Sequence, residues 1–176
     1  MVTNSVGRGD GHPGSDANTC MSALRLQLLG PPRVWRDEQP VSFATRKTLA
    51  LLAYLAVESG PHPREQLAAL LWPDADADDA RASLRTALVY LRQALGGADT
   101  ALVVTRETVG LAPSTPVTRD VQTLAQAQRL ARAGEAVPGL RGELERAVAV
   151  YHGPFLDGVS LPDAPPFEHW VAGQRA

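Results

Sequence analysis

Arg81, Arg85 and Arg92 are the side chains of this sequence best placed to hold an anion. At about 100° per residue they fall along one flank of a single helix. A guanidinium presents a planar fork of donors that matches a phosphate, or the major-groove edge of a guanine, in bidentate fashion. Thr86, Val89 and Gln93 point away from the apolar face of that helix, and Ser83 and Tyr90 occupy its other flank. The same side chains also suit an ordinary solvated helix face, so the surrounding elements must decide.

The element that positions them is the stretch Ala80–Leu95, ARASLRTALVYLRQAL. Leu84, Leu88, Leu91 and Leu95 recur at i, i+4, i+7 and i+11, which is one apolar helical stripe. That stripe predicts burial against Leu49, Leu52, Leu67 and Leu70, the other large apolar faces between Leu24 and Leu111. Ahead of it lies a shorter helix, REQLAALLW, begun by Arg64 and stopped by Pro73. A short helix, a loop and a longer arginine-flanked helix have the order of a helix-turn-helix, whose second helix enters the major groove. Arg64 then sits at a helix N-terminus, where backbone N–H groups also attract phosphate. Trp72 either donates its indole N–H to a phosphate or packs against the core.

The flanking segments fit this arrangement. LRLQLLG (24–30) alternates as a strand, Val34-Trp35 is a second, Asp37-Glu38-Gln39 a turn and Val41–Phe43 a third strand. Thr45 is a fair N-cap for RKTLALLAYLAV, although Arg46 and Lys47 lie in a first turn where the helix dipole disfavours cations. Gly60 ends that helix and Pro61-His62-Pro63 predicts an extended connection. In the loop DADADD, Asp78 or Asp79 is the expected cap of the long helix. Leu102–Thr105, an RET turn and Val109–Leu111 read as a β-hairpin, with Arg106 at its tip. Small antiparallel strands, helices and a terminal hairpin, in that order, are the parts of a winged helix-turn-helix.

Beyond Pro113 the character changes. Residues 114–119 read as a linker. Asp120 is the expected cap of VQTLAQAQRLARAG, with Leu124, Ala127, Leu130 and Ala131 on one face. LRGELERAVAVYHG follows with Leu144, Ala147, Val148 and Tyr151, and the two form an αα-hairpin of helical-repeat type. FEHWVAGQRA begins a third helix whose Phe167, Trp170 and Val171 look uncovered, as in a helix cut short. The expected organisation is therefore a disordered tail over 1–21, with Met21 as an alternative start, a winged helix over 22–113, a linker over 114–119 and a helical segment over 120–176.

Composition narrows the function classes. The 176 residues carry a net charge of −2, so a nucleic-acid surface must be local rather than global. Cys20 is the single cysteine, which excludes an internal disulfide and fits a reducing cytoplasm. No apolar run reaches membrane-spanning length, so no membrane partner is expected. The alternating aspartates of DADADD fail the calcium-loop pattern, because Asp79 stands where the turn glycine belongs and Arg85 where the bidentate glutamate belongs. His12, His62, His152 and His169 share no metal-ligand spacing, and no nucleophile is paired with a base. An enzyme, a metal and a cofactor are all unexpected.

The order LRLQLLGPPRVWRD, RKTLALLAYLA, PREQLAALLWPDADADDARASLRTALVYLRQALG resembles the antibiotic-regulatory-protein (SARP-type) family of actinobacterial transcriptional regulators. Their N-terminal domain is an OmpR-type winged helix. DVQTLAQAQRLA through YHGPFLDGVSLPDAPPFEHWVAGQRA is similar to the bacterial transcriptional activator domain that follows it, a tetratricopeptide-like module. The resemblance covers about Leu24 to Ala176. It implies sequence-specific binding to promoter DNA at direct repeats, recruitment of RNA polymerase, and a homodimer among the possible assemblies. It marks Ser83, Arg85, Thr86, Val89, Tyr90 and Arg92 as DNA-facing, beside Arg64, Trp72, Arg81 and Arg106 from the residue reading. Val89-Tyr90 replaces the polar or basic pair common in the family, which keeps open an alternative: a protein–protein interaction module that has lost DNA binding.

Overall fold

The computed structural model describes residues 23–97, 101–133 and 138–176; the tail expected over 1–21 lies outside them. Strand β1 (Leu24–Gln27) turns Leu24 and Leu26 into the core and Arg25 outward, as period-two alternation requires. β2 (Arg33–Arg36) returns antiparallel beside it, from Leu24↔Arg36 to Gln27↔Arg33. Asp37 and Glu38, both at positive φ, form the two-residue turn into β3 (Gln39–Pro40). The third strand therefore lies just ahead of the expected Val41–Phe43, because the tight turn brings the chain back sooner. Val41 still donates its N–H to the Val34 carbonyl.

Helix α1 (Arg46–Val57) starts where expected, with the Thr45 hydroxyl accepting the Thr48 N–H. Its run Ala50–Ala56 is buried all round, so α1 is the centre of the molecule rather than a surface helix. Pro61-His62-Pro63 is more than a connection. β4 (His62–Pro63) pairs antiparallel with β6 (Thr108–Leu111), which also pairs with β5 (Leu102–Val104). Proline is tolerated there because β4 is an edge strand and needs no second set of ladder bonds. Between them stand α2 (Arg64–Leu71) and α3 (Ala77–Ala94). The helix expected over 80–95 begins three residues earlier, and its cap is Asp76, not Asp78 or Asp79. One Asp76 carboxylate oxygen accepts both of their N–H groups. Leu84, Leu88 and Leu91 are sealed in the core with Leu52 and Leu67, while Leu49 and Leu70 are only half-buried beside them.

The stretch expected as a linker contains β7 (Val117–Arg119), which pairs parallel with β1. It gives the first sheet the order β3-β2-β1-β7 and one parallel pair in an otherwise antiparallel set. Its proline precedes the strand, and the Pro116 carbonyl accepts the Leu24 N–H, so a composition typical of linkers is compatible with pairing. Asp120, expected as a cap, is the first residue of α4 (Asp120–Ala133), and its carboxylate ties that helix to the end of β1. One of its carboxylate oxygens accepts the N–H groups of Leu28 and Leu29 at 2.7 Å each, and the other accepts that of Val121.

α4 and α5 (Leu140–Val150) pack as the expected αα-hairpin. The third helix, α6 (Pro165–Arg175), is not uncovered. Phe167 and Val171 join the same core as α1 and α2, and Trp170 stands 5.0 Å from the Tyr54 ring with its indole N–H on the Glu58 carboxylate. The Arg175 guanidinium donates to the Phe155 and Leu156 carbonyls. Among the described residues no helix is long and apolar enough to cross a membrane.

Candidate nucleic-acid interface

α3 is fixed at both ends before it presents anything. Asp76, Asp78 and Asp79 set carboxylates against its positive N-terminal dipole. At the other end the Arg36 guanidinium donates to the Leu95 carbonyl, complementing the negative C-terminus. Gly96 and Gly97, both at positive φ, then turn the chain away. Burial of Leu84, Ala87, Leu88 and Leu91 fixes the rotation of the helix about its axis. Arg85, Thr86, Val89, Tyr90 and Arg92 are thereby left exposed, Val89 at 46% and Tyr90 at 38%.

The arginines divide. Arg85 and Arg92 take part in no ion pair among the described residues. Arg81 is engaged: its guanidinium bonds Glu65 at 3.0 Å and Asp78 at 3.1 Å. Those hydrogen bonds, the Glu65 bond first, raise its pKa further above its ordinary value. Arg81 therefore links the start of α3 to the start of α2, and a phosphate would compete with two carboxylates for it. Thr86 donates its hydroxyl proton to the Ala82 carbonyl at 3.1 Å, which leaves its lone pairs and methyl facing outward.

The other flank of α3 is a cleft. Ser83, Thr86 and Tyr90 line it with Trp72 from the end of α2 and with Thr45, Arg46 and Lys47 from the start of α1. Trp72 is half-buried, packed against the core with the Lys47 ammonium 5.1 Å from its ring centroid. The compensation that a cation in the first turn of α1 calls for is present, because Lys47 pairs with Asp163 at 2.8 Å. Arg46, one residue earlier, is exposed and unpaired among the described residues. Arg46 and Lys47 are absent from the residues singled out on the sequence as DNA-facing. Their unfavourable place against the helix dipole was the signal available.

Arg64 and Arg106 come together at the hairpin. The Arg64 N–H donates to the Glu107 carbonyl at 2.9 Å and its guanidinium reaches the Thr105 carbonyl at 3.4 Å. The Thr105 hydroxyl accepts the N–H groups of Glu107 and Thr108, which closes the turn and leaves Arg106 exposed at the tip. Apart from Arg81, the expected residues thus form three groups: the unpaired flank of α3, the cleft beside Tyr90, and the hairpin tip next to the start of α2.

No protein-family model matches the chain. Over 147 residues, 81% of its length, it is 32% identical to the regulatory protein AfsR of Streptomyces coelicolor, of which the match covers 14%. Its fold overlays a solved structure of Mycobacterium tuberculosis EmbR in complex with a low-affinity phosphopeptide, with a TM-score of 0.66 and 26% identity. That overlay covers 86% of this chain and 41% of EmbR. In sequence and fold the chain is similar to SARP-type transcriptional regulators. It spans less than half the length of either relative. The SARP-type likeness runs through both the winged helix and the helical segment, in agreement with the fold read from the sequence. It is a likeness to regulators rather than to enzymes.

Proposed function

We propose that this chain is the DNA-reading part of a SARP-type regulator, with α3 in the major groove of promoter DNA. The observation that carries this reading is the outward face of α3, where Arg85 and Arg92 stand exposed and unpaired beside Thr86 and Val89 on a helix capped at both ends. Arg85, nearer the N-terminal half, reads a base edge, and Arg92, two turns further along, meets phosphate. Arg106 on the hairpin tip and Arg46 at the start of α1 add phosphate contacts on either side. Arg81, Arg64, Ser83 and Trp72 act chiefly by positioning these elements. Residues 22–113 are proposed as the winged-helix unit and 120–176 as the beginning of an activator domain, which recruits RNA polymerase. A cytoplasmic location and a homodimer on paired sites belong to the same reading.

The test is salt-dependent binding of the full chain to promoter fragments by fluorescence anisotropy. Arg85→Ala is expected to cost about 1–3 kcal/mol on the preferred site and to relax preference at one or two base pairs. Arg92→Ala should weaken specific and non-specific binding alike and lower the salt slope by roughly one unit. If the wild-type chain prefers no promoter fragment over random DNA at moderate salt, the interaction-module reading replaces this one. The exposed Val89 and Tyr90 on α3 are the observation that favours that second reading.

A further inference from the structure

On the side of the molecule where β7 meets the β5–β6 hairpin lies a cleft of about 420 Å³. That is within the size range of sites for small molecules. Leu55, Val103, Leu111 and Val117 give it apolar walls, and Ser59 and Thr108 supply hydroxyls. One charged side chain lines it, Arg119 of β7. Among the described residues the buried Arg119 Nε has no hydrogen-bond partner, and one terminal nitrogen reaches the Ser59 hydroxyl at 3.4 Å. Two acids that adjoin lining residues, Glu58 before Ser59 and Asp120 after Arg119, are committed elsewhere. Glu58 holds the Trp170 indole, and Asp120 holds the amides of Leu28 and Leu29. Burial pushes the Arg119 guanidinium below its ordinary pKa, and among the described residues no acid forms an ion pair with it. A buried donor left unmade is costly, and structures rarely keep one without a use for it.

We propose that this cleft binds a small molecule with one carboxylate on an apolar body, and that the Arg119 guanidinium anchors the carboxylate. The fork of Arg119 suits a two-oxygen anion, and the apolar walls suit a short hydrocarbon body. Gly110, which also lines the cleft, lets β6 approach the Gly60 backbone closely: a Cβ there would meet the Gly60 carbonyl oxygen at 2.8 Å. The ligand would bridge the first sheet, through β7, to the hairpin that carries Arg106.

The probe is octanoate, with octan-1-ol as its uncharged counterpart, titrated into the isotope-labelled full chain and followed by amide chemical shifts. Octanoate should shift Val103, Thr108, Gly110 and Val117 in a saturable manner and bind more tightly than octanol. Arg119→Gln should weaken octanoate roughly ten- to hundredfold and leave octanol nearly unchanged. Arg119→Lys, which keeps the charge and loses the fork, should fall between. Val103→Glu, at an exposed position on the cleft wall, places a like charge beside the carboxylate. It should weaken octanoate about tenfold even if the Arg119 variants fail to fold. Equal binding of octanoate and octanol, shifts confined to other residues, or affinity unchanged in Val103→Glu would each overturn the assignment. None of these readouts depends on DNA binding.

Discussion

α3 and α5 look alike on paper, and the molecule uses them in opposite ways. Each carries an apolar stripe at helical spacing. In α3 the stripe is closed off: Leu84 and Leu91 are fully buried and Leu88 is 3% exposed, because α1 and α2 stand against them. In α5 only Ala147 is buried, while Leu144 is 40% and Val148 76% exposed, and Tyr151 just past its end is 52% exposed. Among the described residues α5 has α4 as its one substantial neighbour. A periodic stripe states which face seeks a partner, and the number of helices at hand decides whether the face is buried. Where the stripe is satisfied, the opposite face is free to carry charge, as Arg85 and Arg92 do.

The sharpest test of this contrast is a pair of truncations. Leu88→Ala should cost about 2–5 kcal/mol, since it removes transfer energy and leaves a cavity among fixed neighbours. Val148→Ala should stay within about 0.5 kcal/mol, because it removes a methyl pair that water already reaches. Urea unfolding of the two variants measures both. Comparable losses would mean that α5 buries its stripe in solution and that the contrast is absent.

The parts legible in the sequence are those set by local periodicity or local chemistry. Leucine spacing in 84–95, alternation at Leu24 and Leu26, and the Thr45 cap depend on near neighbours, and the helix-turn-helix order and hairpin follow from them. The parts missed depend on distant partners. β4 looks like a break because its prolines are local signals, whereas its pairing with β6 is not. β7 looks like a linker until β1 lies beside it. The exposed α3 face was readable, since the stripe fixes its rotation. The engagement of Arg81 was only half readable: Asp78 lies one turn earlier on the same helix, but Glu65 comes into reach only when α2 and α3 pack. Trp170 and Phe167 read as uncovered because the core they join, with Tyr54 and Glu58 at α1, lies more than 100 residues away in sequence.

Asp120 tests how firmly the two regions are joined. Its carboxylate is buried and accepts amides from β1's end as well as from its own helix. Asp120→Ala leaves the Leu28 and Leu29 N–H groups buried without acceptors, at a cost of roughly 1–3 kcal/mol for each group left unsatisfied. The expected outcome is a loss of about 2–4 kcal/mol, the exchange protection of both amides falling with it. For the same reason a chain ended at Pro113 should be less stable than the full chain, since it lacks both β7 and this carboxylate. A loss confined to α4, with Leu28 and Leu29 still protected, would show that the regions are joined elsewhere.

The smallest expected effect comes from the exposed joint, Lys47 to Asp163. The Lys47 ammonium, hydrogen-bonded to the carboxylate, holds the Asp163 pKa below its ordinary value. A depressed carboxylate pKa contributes stability that is fully present above the unfolded pKa, near 4. The contribution is lost as the pH falls through the lower folded value. The Asp163 side chain is 64% exposed, so solvent screening keeps the contribution within the 0–1 kcal/mol of surface pairs. Asp163→Asn should therefore lower stability by about 0.5 kcal/mol at pH 7. The gap from wild type should stay constant above the unfolded carboxylate pKa and close as the pH falls through the lower folded value. Molar salt at pH 7 should also narrow it. If the gap persists in acid, the aspartate acts through packing or backbone geometry instead of charge. The joint between the winged helix and α6 would then rest on Trp170 and the buried apolar contacts alone.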